Sequence, residues 1–269
     1  MYQNVSTAFY KALDRGTYFK LLPEIITKAI KLNKSNEVDF MQKLCNEILN
    51  SGDDNTYYDD SAHSNLVCLY GFCKEFGFKN PSSSELFDLP KDYYHHANDC
   101  GNNKYARNFL ARNYRDGTGG AKIDNQEAFN WANESAALGF TSGQYNLGYC
   151  YIKGIGVSPS NELALHWFKE AAKVYNSMAE YNVGFCYRNG YGTVVNQLKA
   201  TYWYRRAASH DDGLAQFVLA GRYHKGNGVN RDVHSAIRFG ICAMRNGQPN
   251  IRRTLDSIFS NDLYVWYNW

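Results

Sequence analysis

The sequence predicts an all-α protein, a right-handed α-solenoid of stacked helix–turn–helix repeats with a helical N-terminal cap. Three observations support this fold class. A set of residues recurs every 36 positions, each copy carries a Gly-x-Gly segment between two helix-forming segments, and each second segment begins with a helix-capping residue. A fixed period of this length indicates a repeat array, in which neighbouring units bury one continuous core.

The period is clearest around residues 143–172. Tyr151 precedes the loop glycines Gly154 and Gly156, and Trp167 precedes a pair of alanines, and this arrangement returns 36 positions later. Four copies lie between residues 102 and 247. The aromatic position of the second segment is occupied by Trp131, Trp167, Trp203 and Phe239.

The first segment of each repeat has the pattern of a helix. Gly143, Leu147 and Tyr151 are spaced i, i+4 and i+8, which places them on one helical face. A small residue follows the Leu147 position in every copy, where a neighbouring helix is expected to approach closely: Ala111, Gly148, Gly184 and Ala220. The helix is expected to end at the Gly-x-Gly segment, because glycine adopts positive φ without a Cβ penalty.

The second segment begins at an N-cap in all four copies: Asp124, Ser160, Asn196 and Asp232. The side-chain oxygen of such a residue accepts a free amide of the first turn, an interaction worth about 1 kcal/mol. Within the second helix, Ala164, Trp167 and Ala171 are spaced i, i+3 and i+7. We expect the tryptophan to fill the gap between helices while the alanines allow close packing.

Taken together, these residues resemble the Sel1-like repeat family, which is related to the tetratricopeptide repeats. The resemblance covers residues 102–247 in four units, because loop glycines, caps and helix positions match together. Tyr175 and Asp211 depart from the pattern where the family often has the glycine seen at Gly139 and Gly247. The resemblance implies a non-catalytic protein–protein interaction module that acts as an adaptor, a scaffold, or an immunity or regulatory protein.

The remaining segments are predicted to cover the ends of the array. Residues 1–62 are expected to form a helical cap and an acidic loop, and residues 63–101 a degenerate repeat. In that repeat, Tyr93 and Ala97 precede Trp131 and Ser135 by 38 positions, so the second helix aligns. Residues 248–269 are predicted to form a capping helix with an aromatic tail, which alternatively docks a partner.

Charge and cysteine usage indicate a protein of the reducing cytoplasm. The 29 basic and 26 acidic residues give a net charge of +3 and are interspersed, so no polyanionic partner is required. No signal peptide or membrane-spanning stretch is expected. The seven cysteines lack the two per unit that the resemblance would imply for a secreted, disulfide-bonded member; Cys150 and Cys186 share one repeat position as small, half-buried fillers.

Catalytic chemistry finds little support in the sequence. It contains no G-x-S-x-G, H-E-x-x-H or C-x-x-C motif. Cys100 with His95 and His96 could form a dyad, but no third residue to orient it is identifiable. We therefore predict no catalytic residue, metal ligand or cofactor. A β-lactamase-like hydrolase, as reported for some members of the family, remains an alternative, although no serine–lysine motif supports it.

The predicted partner surface lies on the first helices, which in such arrays line the concave side. Three positions per helix, spaced i, i+4 and i+7, form rows of Tyr, Phe and Arg, the residues that dominate binding energy at interfaces. The candidates are Arg112, Arg115, Tyr145, Tyr149, Tyr181, Phe185, Arg188, Phe217 and Arg222. Tyr145, Tyr181 and Phe217 alternatively pack between units. A nucleic-acid binder using Arg112, Arg115, Arg188 and Arg222 is a further alternative.

Overall fold

A computed structural model describes residues 60–75 and 87–246. The predictions for the N-terminal cap up to residue 59, for the connection 76–86 and for the aromatic tail lie outside the described residues. The described ranges are helical and contain no strand. Their helices are α1 (Asp60–Glu75), α2 (Pro90–Gly101), α3 (Lys104–Asp116), α4 (Asn125–Ala137), α5 (Thr141–Lys153), α6 (Asn161–Ala172), α7 (Ser177–Asn189), α8 (Gln197–Ser209), α9 (Gly213–Lys225) and α10 (Val233–Arg245).

The chain divides into two compact units, Met1–Ser158 and Pro159–Trp269. In the first unit, α1 packs against α2 and α3 against α4, while α5 packs on both α3 and α4. In the second unit, α6 packs on α7, α7 on α8, α8 on α9, and α9 on α10. Each first helix therefore contacts the second helix of its own repeat and that of the repeat before it, wherever both lie in one unit.

The predicted caps of the second helices are confirmed. Asp124 Oδ1 accepts hydrogen bonds from the amides of Gln126 (3.0 Å) and Glu127 (3.1 Å) at the start of α4. Ser160, Asn196 and Asp232 cap α6, α8 and α10 in the same way. Three first helices have equivalent caps that the repeat pattern did not predict: Asn103, Asn176 and Asp212.

The loop glycines end the first helices as predicted and also bring neighbouring repeats together. Gly154 caps α5 with φ of 68°. In the loops after α5, α7 and α9, the second glycine lies against the backbone of the preceding repeat. A Cβ on Gly156 would sit 2.1 Å from the carbonyl oxygen of Asn125, the first residue of α4. The same approach occurs at Gly192 and Gly228 in the second unit. Each of these three loops therefore packs on the start of the second helix one repeat earlier.

Helix α2 takes the place of a second helix in this register. The amide of Lys91, in the first turn of α2, donates a hydrogen bond to the carbonyl of Gly119 in the loop after α3 (3.1 Å). Tyr93 and Ala97 are buried, at 5% and 0% exposure. Helix α2 thus packs on the loop after α3, and the degenerate repeat over residues 63–101 stays a prediction.

The structure corrects the predicted role of the tryptophans. Trp131, Trp167 and Trp203 are only half-buried, whereas Phe168, the residue after Trp167, is fully buried, as is Tyr204 in the next repeat. The reason is the helical angle: a residue four positions after Ala164 lies about 40° from it, closer to the centre of the buried face than one three positions on. In these two repeats the large core side chain therefore follows the tryptophan, whereas the small Ala132 follows Trp131.

Tyr175 and Asp211 replace a glycine without changing the backbone. Their φ angles are 61° and 58°, close to the 72° of Gly139 at the equivalent turn. A residue with a Cβ is strained in this left-handed region. The two departures from the repeat pattern are thus local, and the turn keeps the same backbone conformation.

Candidate functional site

In the first unit, the outward rows of α3 and α5 meet in a polar and aromatic cluster. Arg115 Nη1 donates to Asn146 Oδ1 (2.9 Å), and Asn146 Nδ2 donates to Asn108 Oδ1 (2.8 Å). The guanidinium of Arg115 lies over the ring of Tyr149, 5.2 Å from its centroid. These contacts join two neighbouring first helices, and the predicted residues Arg115 and Tyr149 are brought together.

The cluster holds Arg115 in a fixed position. Its Nε and Nη2 donate to the two carboxylate oxygens of Asp116 at 2.7 and 2.8 Å. Burial alone would lower the pKa of Arg115, but the hydrogen bond and charge of Asp116 outweigh it, so the pKa is raised. The rings of Tyr145 and Tyr149 lie 6.4 Å apart. This part of the predicted surface is therefore ordered before any partner binds.

Arg112 has a different environment from its neighbour in the row. Its Nη2 lies 2.6 Å from Glu75 Oε1, and Tyr94 Oη donates to Glu75 Oε2 at 2.7 Å. Burial, and then the charge of Glu75, raise the pKa of Tyr94 well above its usual range. Arg112 thus belongs to a polar link between α1, α2 and α3, and it is about 21% exposed.

In the second unit, the two aromatic residues of the outward row on α7, Tyr181 and Phe185, each pack on another ring. The ring of Tyr181 lies 5.5 Å from that of Tyr204, and the ring of Phe185 lies 5.6 Å from that of Tyr191. Burial, followed by the charge of Asp212, raises the pKa of Tyr181. Arg188, one turn further along the row, is exposed. Tyr181 and Phe185 remain partly accessible beside it.

Arg222 is an exception among the predicted site residues, because it is buried at 5% exposure. Its Nε donates to Thr201 Oγ1 (2.8 Å) and its Nη2 to the carbonyl of Gln197 (2.7 Å), both on α8. Burial lowers the pKa of Arg222. Arg222 therefore contributes to packing between α8 and α9 and does not line an open surface.

The repeat register contained the signal for this correction. Arg222 stands 36 positions after Cys186 and 72 after Cys150, the expected fillers. Both thiols are buried more completely than predicted, at 0% and 2% exposure. Burial raises the pKa of Cys150 to about 11 and that of Cys186 to about 12. A residue at this position faces the core whatever its polarity.

The outward row on α9 offers the fewest side chains for contact with a partner. Phe217 is half-buried, and a Cβ on Gly221 would have no atom within 4 Å. Tyr191 was missed by the sequence analysis: it lies between the two loop glycines and is 38% exposed while it packs on Phe185. Its position in the loop, next to a row residue, was the available signal.

Groups with catalytic potential lie on α2. His96 Nε2 is 3.6 Å from Cys100 Sγ, and His95 Nε2 is 3.0 Å from Tyr114 Oη. Among residues 60–75 and 87–246, no group of three or more His, Cys, Asp or Glu side chains could hold a metal ion. The cysteines whose side chains are described are unpaired: Cys68, Cys100, Cys150, Cys186 and Cys242. None of the described helices has the length and apolarity needed to cross a bilayer.

The helix pairs, the glycine loops between them and the outward aromatic rows define a class: an α-solenoid protein built from helical repeats. The chain belongs to the Sel1 repeat family. The profile of that family matches residues 104–140, 141–174, 177–212 and 213–247, more than half of the chain. The predicted resemblance is thus confirmed. Sel1 repeats generally mediate protein–protein interactions.

Solved structures of the same repeat type resemble this chain. A Sel1 repeat protein from Oxalobacter formigenes is 25% identical, with a TM-score of 0.61 over 74% of this chain and 81% of the other. A protective antigen of uropathogenic Escherichia coli strains, which displays an SLR fold, is 22% identical with a TM-score of 0.62. The alignment covers 89% of this chain and 52% of that antigen, about half its length. No match was found among curated proteins.

Proposed function

We propose that this protein is a non-catalytic interaction module, which binds a protein or peptide partner through the outward side chains of its first helices. The observation that carries the proposal is the stack of Arg115 on Tyr149, held by Asp116 and Asn146. Tyr and Arg supply most of the energy at protein interfaces, and side chains that are already ordered lose less entropy on binding.

A comparable surface on α7 supports the same proposal for the second unit. Phe185 and Tyr181 are partly exposed, and each packs on a second ring. Arg188, one turn further along α7, is exposed to solvent. A rigid aromatic surface with an adjacent cation can bind a peptide that offers apolar side chains and a carboxylate. We further propose that the protein acts in the cytoplasm as an adaptor, a scaffold or an immunity or regulatory protein.

The two alternative functions gain no support from these contacts. A nucleic-acid interface would need several accessible cations. Of the four arginines named for it, Arg112 and Arg115 are bound to carboxylates and Arg222 is buried, so Arg188 alone is exposed without such a pairing. A hydrolase of the β-lactamase-like kind would need a nucleophile with a base and a group that orients it. The interaction module therefore stands as the single proposal.

The test is affinity capture from lysate of the native host, followed by calorimetry with each captured partner. The baits are wild type, Tyr149→Ala, Phe185→Ala and the control Ile123→Ala, which changes a loop side chain that is 67% exposed and outside the rows. Each bait is first checked by circular dichroism. We expect the wild type and the control to bind the partner alike, and Tyr149→Ala or Phe185→Ala to weaken binding at least about tenfold.

A partner bound equally by all four baits would place the binding surface elsewhere. If no bait captured a partner, the interaction proposal would lose its support, and an activity screen would follow.

A further inference from the structure

The third repeat carries a stripe of apolar side chains that are exposed to solvent. Val194 is 80% exposed, Leu198 is 72% exposed and Tyr202 is 57% exposed. Leu198 and Tyr202 lie four residues apart on α8, so they share one face of the helix, and Val194 immediately precedes that face in the loop. We call these three residues the α8 stripe. It lies on a second helix, away from the rows of first helices.

The fold does not require apolar residues at these positions. The equivalent positions of the other three repeats, at multiples of 36 residues, are all exposed and all polar. The equivalents of Val194 are Lys122, Ser158 and Asn230. Those of Leu198 are Gln126, Glu162 and His234, and those of Tyr202 are Asn130, His166 and Arg238. An apolar cluster that packing does not need indicates an interaction site.

The stripe is flanked by cations. Helix α8 carries Lys199, Arg205 and Arg206 and no acidic residue. Arg206 pairs with the buried Glu180 at 2.9 Å, and that pair neutralises it. Lys199 Nζ lies over the ring of Tyr187 (5.4 Å), and Arg205 lies over the ring of Tyr223 (5.4 Å). Within the described part of the chain, neither Lys199 nor Arg205 meets a carboxylate.

We propose that the α8 stripe is a second docking surface, separate from the first-helix rows, and that it binds an acidic amphipathic segment of a partner protein. The apolar side chains of that segment would pack on Val194, Leu198 and Tyr202. Its carboxylates would pair with Lys199 and Arg205, which contact tyrosine rings but meet no carboxylate among the described residues. Val194 to Arg205 spans about three helical turns, the length of a short partner helix.

Other occupants fit the charges less well. In a symmetric contact between two copies, Lys199 and Arg205 of both chains would gather at one interface and repel each other. Lipid headgroups are usually recruited by clusters of roughly four to eight basic side chains that extend toward the bilayer. Here the two cations, Lys199 and Arg205, each lie over a tyrosine ring of the protein itself, which holds them beside the stripe. Fixed cations suit fixed carboxylates on a folded partner segment.

The test uses a random library of 16-residue peptides displayed on phage, selected against the full-length protein. The counter-selection variant is Leu198→Gln with Tyr202→Asn, which copies the residues that α4 carries at Gln126 and Asn130. Because another repeat of the same chain already folds with these residues, the variant is expected to fold. We expect the peptides enriched by wild type to carry apolar residues at i and i+4 together with Asp or Glu.

Synthetic versions of these peptides are then measured by fluorescence anisotropy. Binding should be at least about tenfold weaker to the double variant and weaker to Lys199→Glu, and it should be unchanged for Tyr149→Ala, which changes the first-helix surface only. Loss of binding in Tyr149→Ala would merge this site with the proposed first-helix interface and overturn its independence.

Four further outcomes would overturn the proposal. The first is a selection with no enrichment of acidic amphipathic peptides, and the second is equal binding to wild type and the double variant. The third is stripe-dependent binding to vesicles containing phosphatidylserine, which would assign the stripe to a membrane surface. The fourth is stripe-dependent self-association in sedimentation velocity, which would assign it to a second copy of this chain.

Discussion

Gly156 packs directly on the carbonyl oxygen of Asn125, so closely that a Cβ at Gly156 would lie 2.1 Å from that oxygen. The contact joins the loop of one repeat to the start of the second helix of the repeat before it. It recurs in the second unit at Gly192 and Gly228, with 2.3 and 2.4 Å to the carbonyls of Asn161 and Gln197. The period of 36 residues is thus visible as a repeated backbone contact.

Substitution of Gly156 is expected to destabilise the protein more than substitution of a glycine with the same backbone angle. Gly156 has φ of 64°, and a Cβ added there by Gly156→Ala would clash with the backbone. Gly139 has φ of 72°, and a Cβ added there by Gly139→Ala would have no atom within 4 Å. The angle alone costs about 1–2 kcal/mol, and overpacking adds about 1–3 kcal/mol at Gly156. Urea unfolding of both variants measures the difference. Equal losses would contradict the loop contact.

The left-handed backbone at Tyr175 is expected to favour glycine over alanine as a replacement. Tyr175 has φ of 61° and its ring packs on His210, 5.3 Å away. Tyr175→Gly and Tyr175→Ala both lose the ring, but only Gly is free of the left-handed penalty of about 1–2 kcal/mol. Glycine gives back about 0.5–1 kcal/mol through the entropy of the unfolded chain. We therefore expect Tyr175→Gly to be more stable than Tyr175→Ala by roughly 1 kcal/mol. Thermal unfolding of the pair checks this, and an alanine variant of equal stability would refute it.

The order of burial at Trp167 and Phe168 predicts an order of stability. Phe168 has 0% exposure, while Trp167 is half-buried. Truncation of a fully buried aromatic costs about 3–5 kcal/mol, so Phe168→Ala should be severely destabilising. Trp167→Ala should cost less, because its cavity opens to solvent. Circular dichroism in urea compares them, and a larger loss for Trp167→Ala would restore the tryptophan as the main core residue.

Stability is expected to fall as the solution is acidified, through His95. Burial lowers the pKa of His95 below its ordinary value of 6.5, although the charges of Asp99 and Asp92 oppose the shift. The unfolded chain therefore takes up the proton first as the pH falls. The contribution of neutral His95 is complete above pH 6.5 and is lost as the pH falls below that value through the lowered pKa.

The measurement for His95 is the melting temperature at pH 7.5 and pH 5 for wild type and His95→Gln. Glutamine keeps a polar group near Tyr114 Oη, which lies 3.0 Å from His95 Nε2, but does not titrate. We expect the decrease between the two pH values to be smaller in the variant. The same decrease in both proteins would show that other groups cause it.

Much of the candidate site could be read from the sequence because it follows the helical period. The i, i+4, i+7 spacing placed Tyr145, Tyr149 and Arg115 outward on first helices, where the structure has them partly exposed. It could not foresee that Arg112 pairs with Glu75, 37 residues away, because such a pair depends on packing between helices. Whether these residues contact a partner stays a prediction.

The α8 stripe shows the same division. Leu198 and Tyr202 looked like ordinary apolar residues of a helix in the sequence, and only the packing revealed that they face water. Once the repeats are aligned, their polar equivalents make the exception plain. A residue type alone does not report its burial, but a repeat supplies three internal controls for every position.

The sequence by itself determined the fold class, the presence of four repeats, the starts of the second helices and the ends of the first helices. These depend on local chemistry, such as the cap at Asp124 and the positive φ at Gly154, which acts within a few residues along the chain. The tertiary structure alone decided the burial of Arg222 and the burial of Phe168 in place of Trp167. Those outcomes depend on how neighbouring helices approach, since the volume and polarity available to a side chain are set by residues far away in sequence.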